Sequence, residues 1–266
     1  MPKIIITGAS GFIGSALISM LKRDNIEYIG LTRKNITGLT QISSYADYSN
    51  DKNSILIHLA QPNNSKKESN GEEIELCKKL VSKNWNHIIY ISSATVYGDQ
   101  IDNPRKSDEE IFGYNDYTNV KLKCESIVLS KGGTCLRFSN IYGHKMSSEN
   151  VISEILSQVS KSEKIVVENK YPIRDFLWID DAVNAIIQAI KLKPSGIINV
   201  GSGIGTSIEE LVKNVLNIIN KPDNLIFSKK REKINSFLVL NIDDAKKILN
   251  WSPQITLIEG LSKLLN

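Results

Sequence analysis

The sequence predicts an α/β protein built on a doubly wound parallel sheet, with helices on both faces and a small C-terminal lobe. Short runs rich in isoleucine, valine and leucine alternate with longer segments whose apolar residues recur at helical spacing. The first apolar run leads directly into a glycine-rich loop and then into a helix. The chain has 266 residues, enough to bury a large core without disulfides or metals.

The predicted strands of the first half are apolar almost throughout, as expected of parallel strands that are covered on both faces. They lie at residues 3–7, 28–32, 41–45, 55–60, 88–92 and 134–139. The helices predicted between them lie at residues 12–24, 72–84 and 114–131. In the first of these helices, Ile13, Leu17 and Met20 fall on one apolar face. Alternating strands and helices favour βαβ units and a parallel sheet.

The second half is less regular. Its predicted helices lie at residues 150–161, 180–191, 207–219 and 257–265, and its predicted strands lie at residues 165–167 and 197–200. Thr206 or Ser207 is a suitable N-cap for the third of these helices. Trp178 and Trp251 are expected to pack in the core or between the lobes.

Composition excludes several classes of protein. The chain carries 33 lysines and arginines against 29 acidic residues, and this net charge of +4 gives no reason to expect a nucleic-acid partner. No apolar stretch approaches the roughly 20 residues of a membrane span, and residues 4–6 are too short for a secretion signal. The cysteines Cys77, Cys124 and Cys135 lack metal-binding spacing, so we expect reduced thiols and no metal site. These observations predict a cytoplasmic protein without a membrane partner.

The most informative segment joins the first strand to the first helix. It contains Gly8, Gly11 and Gly14 in the pattern G-x-x-G-x-x-G. In a dinucleotide site, the first glycine permits the tight turn, the second lets the backbone approach the pyrophosphate, and the third lets the helix pack close to the strand. A glycine-rich turn without a ligand is the alternative, but the strand–loop–helix context favours dinucleotide binding.

The end of the second predicted strand bears on which dinucleotide binds. An NAD site usually places a carboxylate there, whereas this chain has Thr32, Arg33 and Lys34. Arg33 could pair with the 2′-phosphate of NADP, or Arg33 and Lys34 could simply be solvated at a strand end. The sequence therefore favours NADP over NAD. Asp47 and Tyr48, which follow the third predicted strand, are expected at the adenine edge.

A tyrosine and a lysine stand four residues apart in one predicted helix. Tyr117 and Lys121 would share a helix face, and a nearby ammonium lowers the pKa of a phenol, which is ordinarily about 10. Such pairs are also common on helix surfaces. This pair gains significance from Ser92 and Ser93, at the end of a predicted central strand where doubly wound sheets bind ligands. Ser93 could hydrogen-bond a substrate oxygen, or both serines could simply cap the strand end.

Taken together, these segments resemble the extended short-chain dehydrogenases/reductases, specifically the nucleotide-sugar epimerase/dehydratase group. The resemblance rests on motifs that follow one another at residues 7–14, 58–60, 92–98, 117–121, 136–143, 174–181, 199–203 and 242–253. It implies that Tyr117 is the acid/base, that Lys121 binds the nicotinamide ribose and tunes Tyr117, and that Ser93 holds the sugar carbonyl or hydroxyl. It also implies a nucleotide-sugar substrate and allows a homodimer formed through helices that include the Tyr117 helix.

The resemblance also assigns binding residues. The NADP or NAD cofactor would contact Gly8, Ser10, Gly11, Phe12, Ile13, Gly14, Thr32, Arg33, Asp47, Tyr48, Leu59, Ala60, Gln61, Tyr117 and Lys121. The substrate would contact Ser93, Thr95, Tyr117, Asn140, Arg174 and Arg231. Without the family, a salt bridge from Arg174 to Asp180 or Asp181 is the simpler expectation. Those two aspartates are expected to cap the following helix and stabilise it by their charge.

The resemblance leaves the reaction open among three types. Dehydration needs acid/base carboxylates just after Ser93, where this chain has Ala94 and Thr95. The segment from Ser93 to Gly98 looks like the 4-epimerase version, but epimerases retain NAD, which fits poorly with Arg33. Reduction of a 4-keto nucleotide sugar by NADPH is therefore favoured narrowly over 4-epimerisation. A cofactor sensor or scaffold without turnover is a third hypothesis.

The chain is short for this group. We expect a Rossmann-type NAD(P)-binding domain at residues 1–140, joined by segments near 174–200 and 236–250. A small substrate-binding lobe would comprise residues 141–173, 201–235 and 251–266. Only residues 49–53 separate Tyr48 from the fourth predicted strand, too few for the usual crossover helix.

Overall fold

The structure is a computed structural model that describes residues 2–49, 52–60, 70–111, 114–159, 161, 164–221, 225–230 and 235–265. The strands found within these residues are β1 (Ile4–Thr7), β2 (Tyr28–Thr32), β3 (Thr40–Gln41), β4 (Ile55–His58), β5 (His87–Ser93), β6 (Thr134–Phe138), β7 (Asn140–Tyr142), β8 (Lys164–Val167), β9 (Ile173–Trp178), β10 (Gly196–Val200), β11 (Gly205–Ser207), β12 (Leu225–Ser228) and β13 (Phe237–Leu238). The helices are α1 (Phe12–Arg23), α2 (Asn70–Val81), α3 (Asp116–Leu129), α4 (Val151–Val159), α5 (Ile179–Leu192), α6 (Ile208–Ile218), α7 (Asp243–Ile248) and α8 (Leu257–Leu265).

A parallel central sheet organises the first half of the chain. Among the described residues it has seven strands in the order β10-β6-β5-β4-β1-β2-β3. The order reverses beside β1, because β2 lies on one side of β1 and β4 lies on the other. The central strands β1 and β4 are buried along their whole length, as their isoleucine-rich sequences predict. The structure thus confirms the predicted doubly wound α/β fold.

The second half contributes two smaller sheets. Strand β9 pairs with β7 and β13 in parallel and with β11 in antiparallel orientation, while β8 pairs in parallel with β12. The sequence did not predict β7, β9, β11, β12 or β13, and it did not predict α7. These strands are short or carry polar residues, so their apolar pattern is weak. Pairing with neighbours that are distant in sequence specifies them instead.

One predicted strand was wrong. Residues 41–45 were expected as the third strand, but β3 spans only Thr40–Gln41 and the chain then forms a 3₁₀ turn at Tyr45–Asp47. The Ser44 side chain accepts a hydrogen bond from the Ala46 backbone N–H and caps this turn. Side-chain capping by serine competes with strand pairing, which explains the early end of β3.

Both predicted core tryptophans are buried. Trp178 is 3% exposed and Trp251 is 5% exposed, and the indole N–H of Trp251 donates to the Asp181 carbonyl. Helix α5 lies against α1, and the face of α5 that meets the core is almost entirely alanine, valine and isoleucine. Within the described residues, no helix has both the length and the hydropathy needed to cross a bilayer.

Candidate active site

The glycine loop after β1 adopts a backbone that side chains would obstruct. Gly8 has a φ of +70°, and a Cβ at this position would lie 2.8 Å from the Ala60 backbone nitrogen. A Cβ on Gly14 would clash with the Gly8 carbonyl oxygen and would lie 2.8 Å from the Ala9 Cα. Both contacts are with backbone, which cannot rotate away. The first and third glycines are therefore required for the close approach of β1, α1 and the end of β4.

The N-terminus of α1 is suited to an anion. Gly11 is its N-cap, no side chain caps it, and its first turn carries no acidic residue. The first backbone N–H groups of a helix lack intrahelical partners and attract negative charge. Gly11, Phe12 and Ile13 line a cavity, so a pyrophosphate bound there would meet these N–H groups. The residues present thus fit a dinucleotide.

This cavity, which we call the catalytic cavity, has a volume of about 360 Å³. It brings the glycine loop together with the ends of β4, β5 and β6 and with helix α3. Its lining residues are Gly8, Gly11, Phe12, Ile13, Gly14, Leu59, Ile91, Ser92, Ser93, Tyr117, Lys121, Phe138, Ser139, Asn140, Ile141 and Asn150. Residues expected to bind cofactor and residues expected to act on substrate therefore share one cavity at the carboxyl edge of the sheet.

Helix α3 positions Tyr117 and Lys121. It begins with a capping box in which Asn115 and Thr118 bond each other's backbone N–H groups. Lys121 is buried, its ammonium donates to the Ile91 carbonyl at 3.1 Å, and it lies 5.8 Å from the centre of the Tyr117 ring. Burial lowers the pKa of Lys121 to about 8, and the Glu73 carboxylate opposes this shift. The ammonium is thus charged near neutral pH and close to the phenol.

Ser93 lies at the end of β5, where its side chain caps a 3₁₀ turn at Ala94–Tyr97. Its oxygen accepts hydrogen bonds from the Thr95 backbone N–H at 3.3 Å and from the Thr95 hydroxyl at 2.9 Å. Because both bonds are accepted, the Ser93 hydroxyl hydrogen remains available to donate into the catalytic cavity. Thr95 thus orients Ser93.

A second cavity lies at the end of β2. It has a volume of about 210 Å³ and is lined by Arg33, Ser43, Ser44, Tyr45, Ala60, Glu72, Glu73 and Leu76. The Arg33 guanidinium lies 6.0 Å from the centre of the Tyr45 ring. Thr32 is buried, and its hydroxyl bonds the Ser10 hydroxyl at 3.0 Å, so the end of β2 is tied to the glycine loop. We call this space the Arg33 cavity.

The comparisons with known proteins identify the family of the chain. The profile of the NAD dependent epimerase/dehydratase family matches residues 4–201, which include the glycine loop, Ser93, Tyr117 and Lys121. The chain belongs to this family. The resemblance inferred from the motifs is thereby confirmed, and membership in a family of epimerases and dehydratases makes the chain an enzyme.

Relatives of this family member span nearly its whole length. The chain is 25% identical over 298 residues to the putative UDP-glucose 4-epimerase of Methanocaldococcus jannaschii, covering 99% of this chain and 97% of the relative. It is 26% identical over 304 residues to the dTDP-4-dehydro-6-deoxyglucose reductase of Escherichia coli, covering 98% and 96%. Similarity at this level extends to both an epimerase and a reductase.

Solved structures share the fold of this family member. RMD from Pseudomonas aeruginosa complexed with NADPH matches with a TM-score of 0.84 and 22% identity, covering 100% of this chain and 98% of the other. MoeE5 in complex with UDP-glucuronic acid and NAD matches with a TM-score of 0.81 and 22% identity, covering 98% and 97%. The same fold therefore accommodates NAD in one protein and NADPH in another.

Asp47 and Tyr48, which were expected at the adenine edge, are not among the described residues that line the Arg33 cavity. Asp47 is exposed at the end of the 3₁₀ turn, and the Lys83 ammonium donates to the carbonyls of Ala46 and Tyr48. Ser43 and Ser44 line this cavity instead, and β3 ends four residues earlier than expected. A shorter strand could have been inferred from the two serines.

Two expected substrate ligands differ in their surroundings. Asn140 lines the catalytic cavity and its amide donates to the Asp175 carbonyl at 3.3 Å. Arg174 donates to the Asp99 carboxylate at 3.1 Å and to the Ser236 hydroxyl at 2.7 Å, as well as to the carbonyls of Ile173 and Ser236. Its salt-bridge partner is therefore Asp99. The expected pairing with Asp180 or Asp181 was wrong.

Those two aspartates lie in the first turn of α5, whose N-cap residue, Trp178, makes no side-chain capping bond to the helix backbone. Asp180 accepts from the Trp178 indole, while Asp181 accepts from the backbone N–H groups of Gln254 and Ile255. Their charge suits the helix dipole, but neither is the N-cap. Two further expected site residues, Gln61 and Arg231, lie outside the described residues.

Proposed function

We propose that this member of the epimerase/dehydratase family is an NADPH-dependent reductase of 4-keto nucleotide sugars, with 4-keto-6-deoxy sugars as the preferred class. The choice of reduction rests on the end of β2. There the residues immediately after Leu31 are Thr32, Arg33 and Lys34, none of which is a carboxylate, and Arg33, Ser43 and Ser44 line a cavity. A guanidinium and two hydroxyls suit a 2′-phosphate, which distinguishes NADPH from NADH.

The catalytic cavity supplies the groups that ketone reduction needs. When bound, NADPH supplies a hydride to the carbonyl carbon. Ser93 donates a hydrogen bond to the carbonyl oxygen and stabilises the negative charge that develops there. Tyr117 donates its phenolic proton to the same oxygen, and the Lys121 ammonium stabilises the phenolate that remains. Asn140 and Asn150, which also line the cavity, offer amide groups to the polar substrate.

A retained-cofactor 4-epimerase is the second candidate, and one observation favours it. Glu72 and Glu73 line the Arg33 cavity together with Arg33. Carboxylates repel a 2′-phosphate and suit the hydroxyl of NAD. The groups in the catalytic cavity would serve epimerisation equally, because that reaction also begins and ends with hydride exchange at a sugar carbon. Dehydration is not proposed, because Ala94 is apolar and the Thr95 hydroxyl bonds Ser93.

NADPH absorbance tests the proposal. The purified protein is mixed with NADPH and a panel of 4-keto-6-deoxy nucleotide sugars, and the proposal expects oxidation of NADPH at a rate proportional to enzyme. Interconversion of a UDP-hexose pair without net change in added cofactor would contradict reduction and support the epimerase. Cofactor binding without turnover of either panel would contradict both reactions and support a sensor.

A further inference from the structure

A buried polar chain runs behind the catalytic cavity. The Glu125 carboxylate accepts from the Ser92 hydroxyl at 2.5 Å and from the Arg137 guanidinium at 2.9 and 2.6 Å. Arg137 also donates to the Tyr97 hydroxyl at 2.9 Å, which in turn donates to the Asn199 amide oxygen at 2.7 Å. The ion pair joins helix α3 to strand β6, and both of its side chains are buried.

Burial makes this arrangement costly unless every group is bonded. The side chains of Glu125 and Arg137 are each 3% exposed. Removing charges from water carries a penalty that a good geometry and further hydrogen bonds must offset. Here both carboxylate oxygens and all three nitrogens of the guanidinium take part in bonds. Because an apolar pair could fill the same space, stability alone does not explain the Glu125–Arg137 ion pair. Its position in the fold indicates its role.

That position connects the two elements that carry the expected catalytic groups. Glu125 follows Lys121 by four residues and Tyr117 by eight, so all three project from the same side of α3. Its partner Ser92 immediately precedes Ser93 on β5. One carboxylate therefore fastens the helix of Tyr117 and Lys121 to the strand end of Ser93, alongside the bond from Lys121 to the Ile91 carbonyl.

We propose that Glu125 is a positioning residue, which acts through Ser92 to hold Ser93 at a fixed distance from Tyr117 and Lys121. This inference rests on the proposed function, because it concerns the geometry of that site. Catalytic groups must be held within roughly 0.5 Å of their productive arrangement by the residues behind them. The bond from Ser92 to Glu125 spans the gap between strand and helix at that place.

Ser92→Ala tests this role without unpairing a buried charge. Glu125→Gln would leave the Arg137 guanidinium uncompensated, and such a variant can fail to fold for that reason alone. Ser92→Ala removes only the hydroxyl that joins Glu125 to β5. We expect kcat to fall about tenfold or more, while KM and the NADPH dissociation constant stay within about twofold of the parent values.

Two further variants separate positioning from general loss of stability. Ser92→Thr keeps the hydroxyl that bonds Glu125, so its kcat is expected to be close to that of the parent. Ser202→Ala is the matched control, because the Ser202 hydroxyl also donates to a buried carboxylate, that of Asp175, at 2.7 Å, and Ser202 is outside the residues lining the catalytic cavity. This control keeps the parent kcat. An equal loss of kcat in Ser92→Ala and Ser202→Ala would overturn the proposal.

Crystal structures of the parent and of Ser92→Ala provide a readout that needs no substrate. Superposed on α3, the two structures are expected to show the Ser93–Thr95 segment displaced by about 0.5 Å or more. An unmoved Ser93 together with an unchanged kcat would refute the positioning role. If the parent protein turns over no nucleotide sugar, the proposed function is refuted. The position of Ser93 in the two crystal structures then still tests the positioning role.

Discussion

At the scale of single residues, the site depends on a phenol beside a buried ammonium. Tyr117→Phe removes the phenolic hydroxyl that would transfer the proton, and it leaves the packing of the ring intact. We expect turnover to fall at least about 100-fold, as is usual when a general acid is lost, while NADPH affinity stays within about twofold. Steady-state kinetics and a fluorescence titration with NADPH measure the two quantities.

The control for this substitution is Tyr28→Phe. Tyr28 begins β2, at the amino edge of the sheet, whereas the catalytic cavity lies at the carboxyl edge. The Tyr28 side chain is half-buried, like that of Tyr117. Near-parental turnover is expected of the control. Near-parental turnover of Tyr117→Phe would show that another group transfers the proton.

The proposed preference for NADPH rests on the charges in the Arg33 cavity. Arg33→Asp replaces a cation by an anion where the 2′-phosphate would lie, so NADPH affinity should fall about tenfold or more while NADH affinity changes less. Glu72→Gln is the matched variant of opposite effect, because it removes a repulsive carboxylate from the same cavity and should strengthen NADPH binding. Equal affinity of the parent for NADPH and NADH would contradict the assignment of Arg33.

His58 predicts a pH dependence of stability. It is fully buried on β4, bonds the Thr7 hydroxyl at 2.8 Å, and has a pKa lowered to about 3 by burial and by the Lys121 charge. Because its pKa in the unfolded chain is near 6.5, the unfolded chain binds more protons between those values. The contribution of His58 is complete above about pH 6.5 and declines by about 1.4 kcal/mol per pH unit as the pH falls toward 3.

Urea unfolding between pH 7 and pH 4 measures this slope. His58→Asn removes the titrating group, so its free energy of unfolding should fall less steeply with decreasing pH than that of the parent. The exposed residue His144 provides the control, since His144→Asn should keep the parental slope. Parallel curves for the parent and His58→Asn would show that His58 does not contribute.

At the scale of elements, the contact between β1 and α1 fixes the glycine loop. Gly14→Ala would place a methyl group against the Gly8 carbonyl and the Ala9 backbone, so we expect a loss of stability of about 1–3 kcal/mol and weaker NADPH binding. Gly71→Ala in α2 is the control, because none of the described residues lies within 4 Å of a Cβ there and alanine favours helix. Thermal unfolding with and without NADPH compares them, and equal effects would contradict the tight contact.

The elements that could be predicted are those whose own residues determine them. The apolar run of β2 and the amphipathic pattern of α8 gave their bounds, Tyr28–Thr32 and Leu257–Leu265, directly. Strand β9 begins with Ile173, Arg174 and Asp175, and its place depends on pairing with β7, β11 and β13. Such pairings join segments that are distant in sequence, which a local pattern does not specify.

At the scale of the whole molecule, the sheet topology brings residues as far apart in sequence as Gly8 and Asn150 to one cavity. The rule that parallel sheets bind ligands at their carboxyl edge was sufficient to predict the meeting of the glycine loop, Ser93 and Tyr117. It could not predict the Glu125–Arg137 pair, because a buried ion pair needs the packed positions of α3 and β6. The spacing of Tyr117, Lys121 and Glu125 was the signal that could have indicated it.

Polar side chains tie the segments of the second half to one another and to the first half. Arg174 on β9 bonds Asp99, which follows β5, and Asp175 accepts from the backbone N–H groups of Ser202, Gly203 and Leu240. These contacts join several separate segments. The division into a cofactor-binding domain and a substrate-binding lobe, and the association into a homodimer, stay predictions.

The central claim is that hydride passes from dissolved NADPH to a sugar carbon. NADPH carrying deuterium at C4 of the nicotinamide, on either face in separate experiments, is incubated with the enzyme and a 4-keto-6-deoxy nucleotide sugar, and the product is examined by mass spectrometry. We predict that one of the two labelled forms yields a sugar with one deuterium at C4, in amounts equal to the NADPH consumed. A product formed without deuterium from either form would contradict the claim.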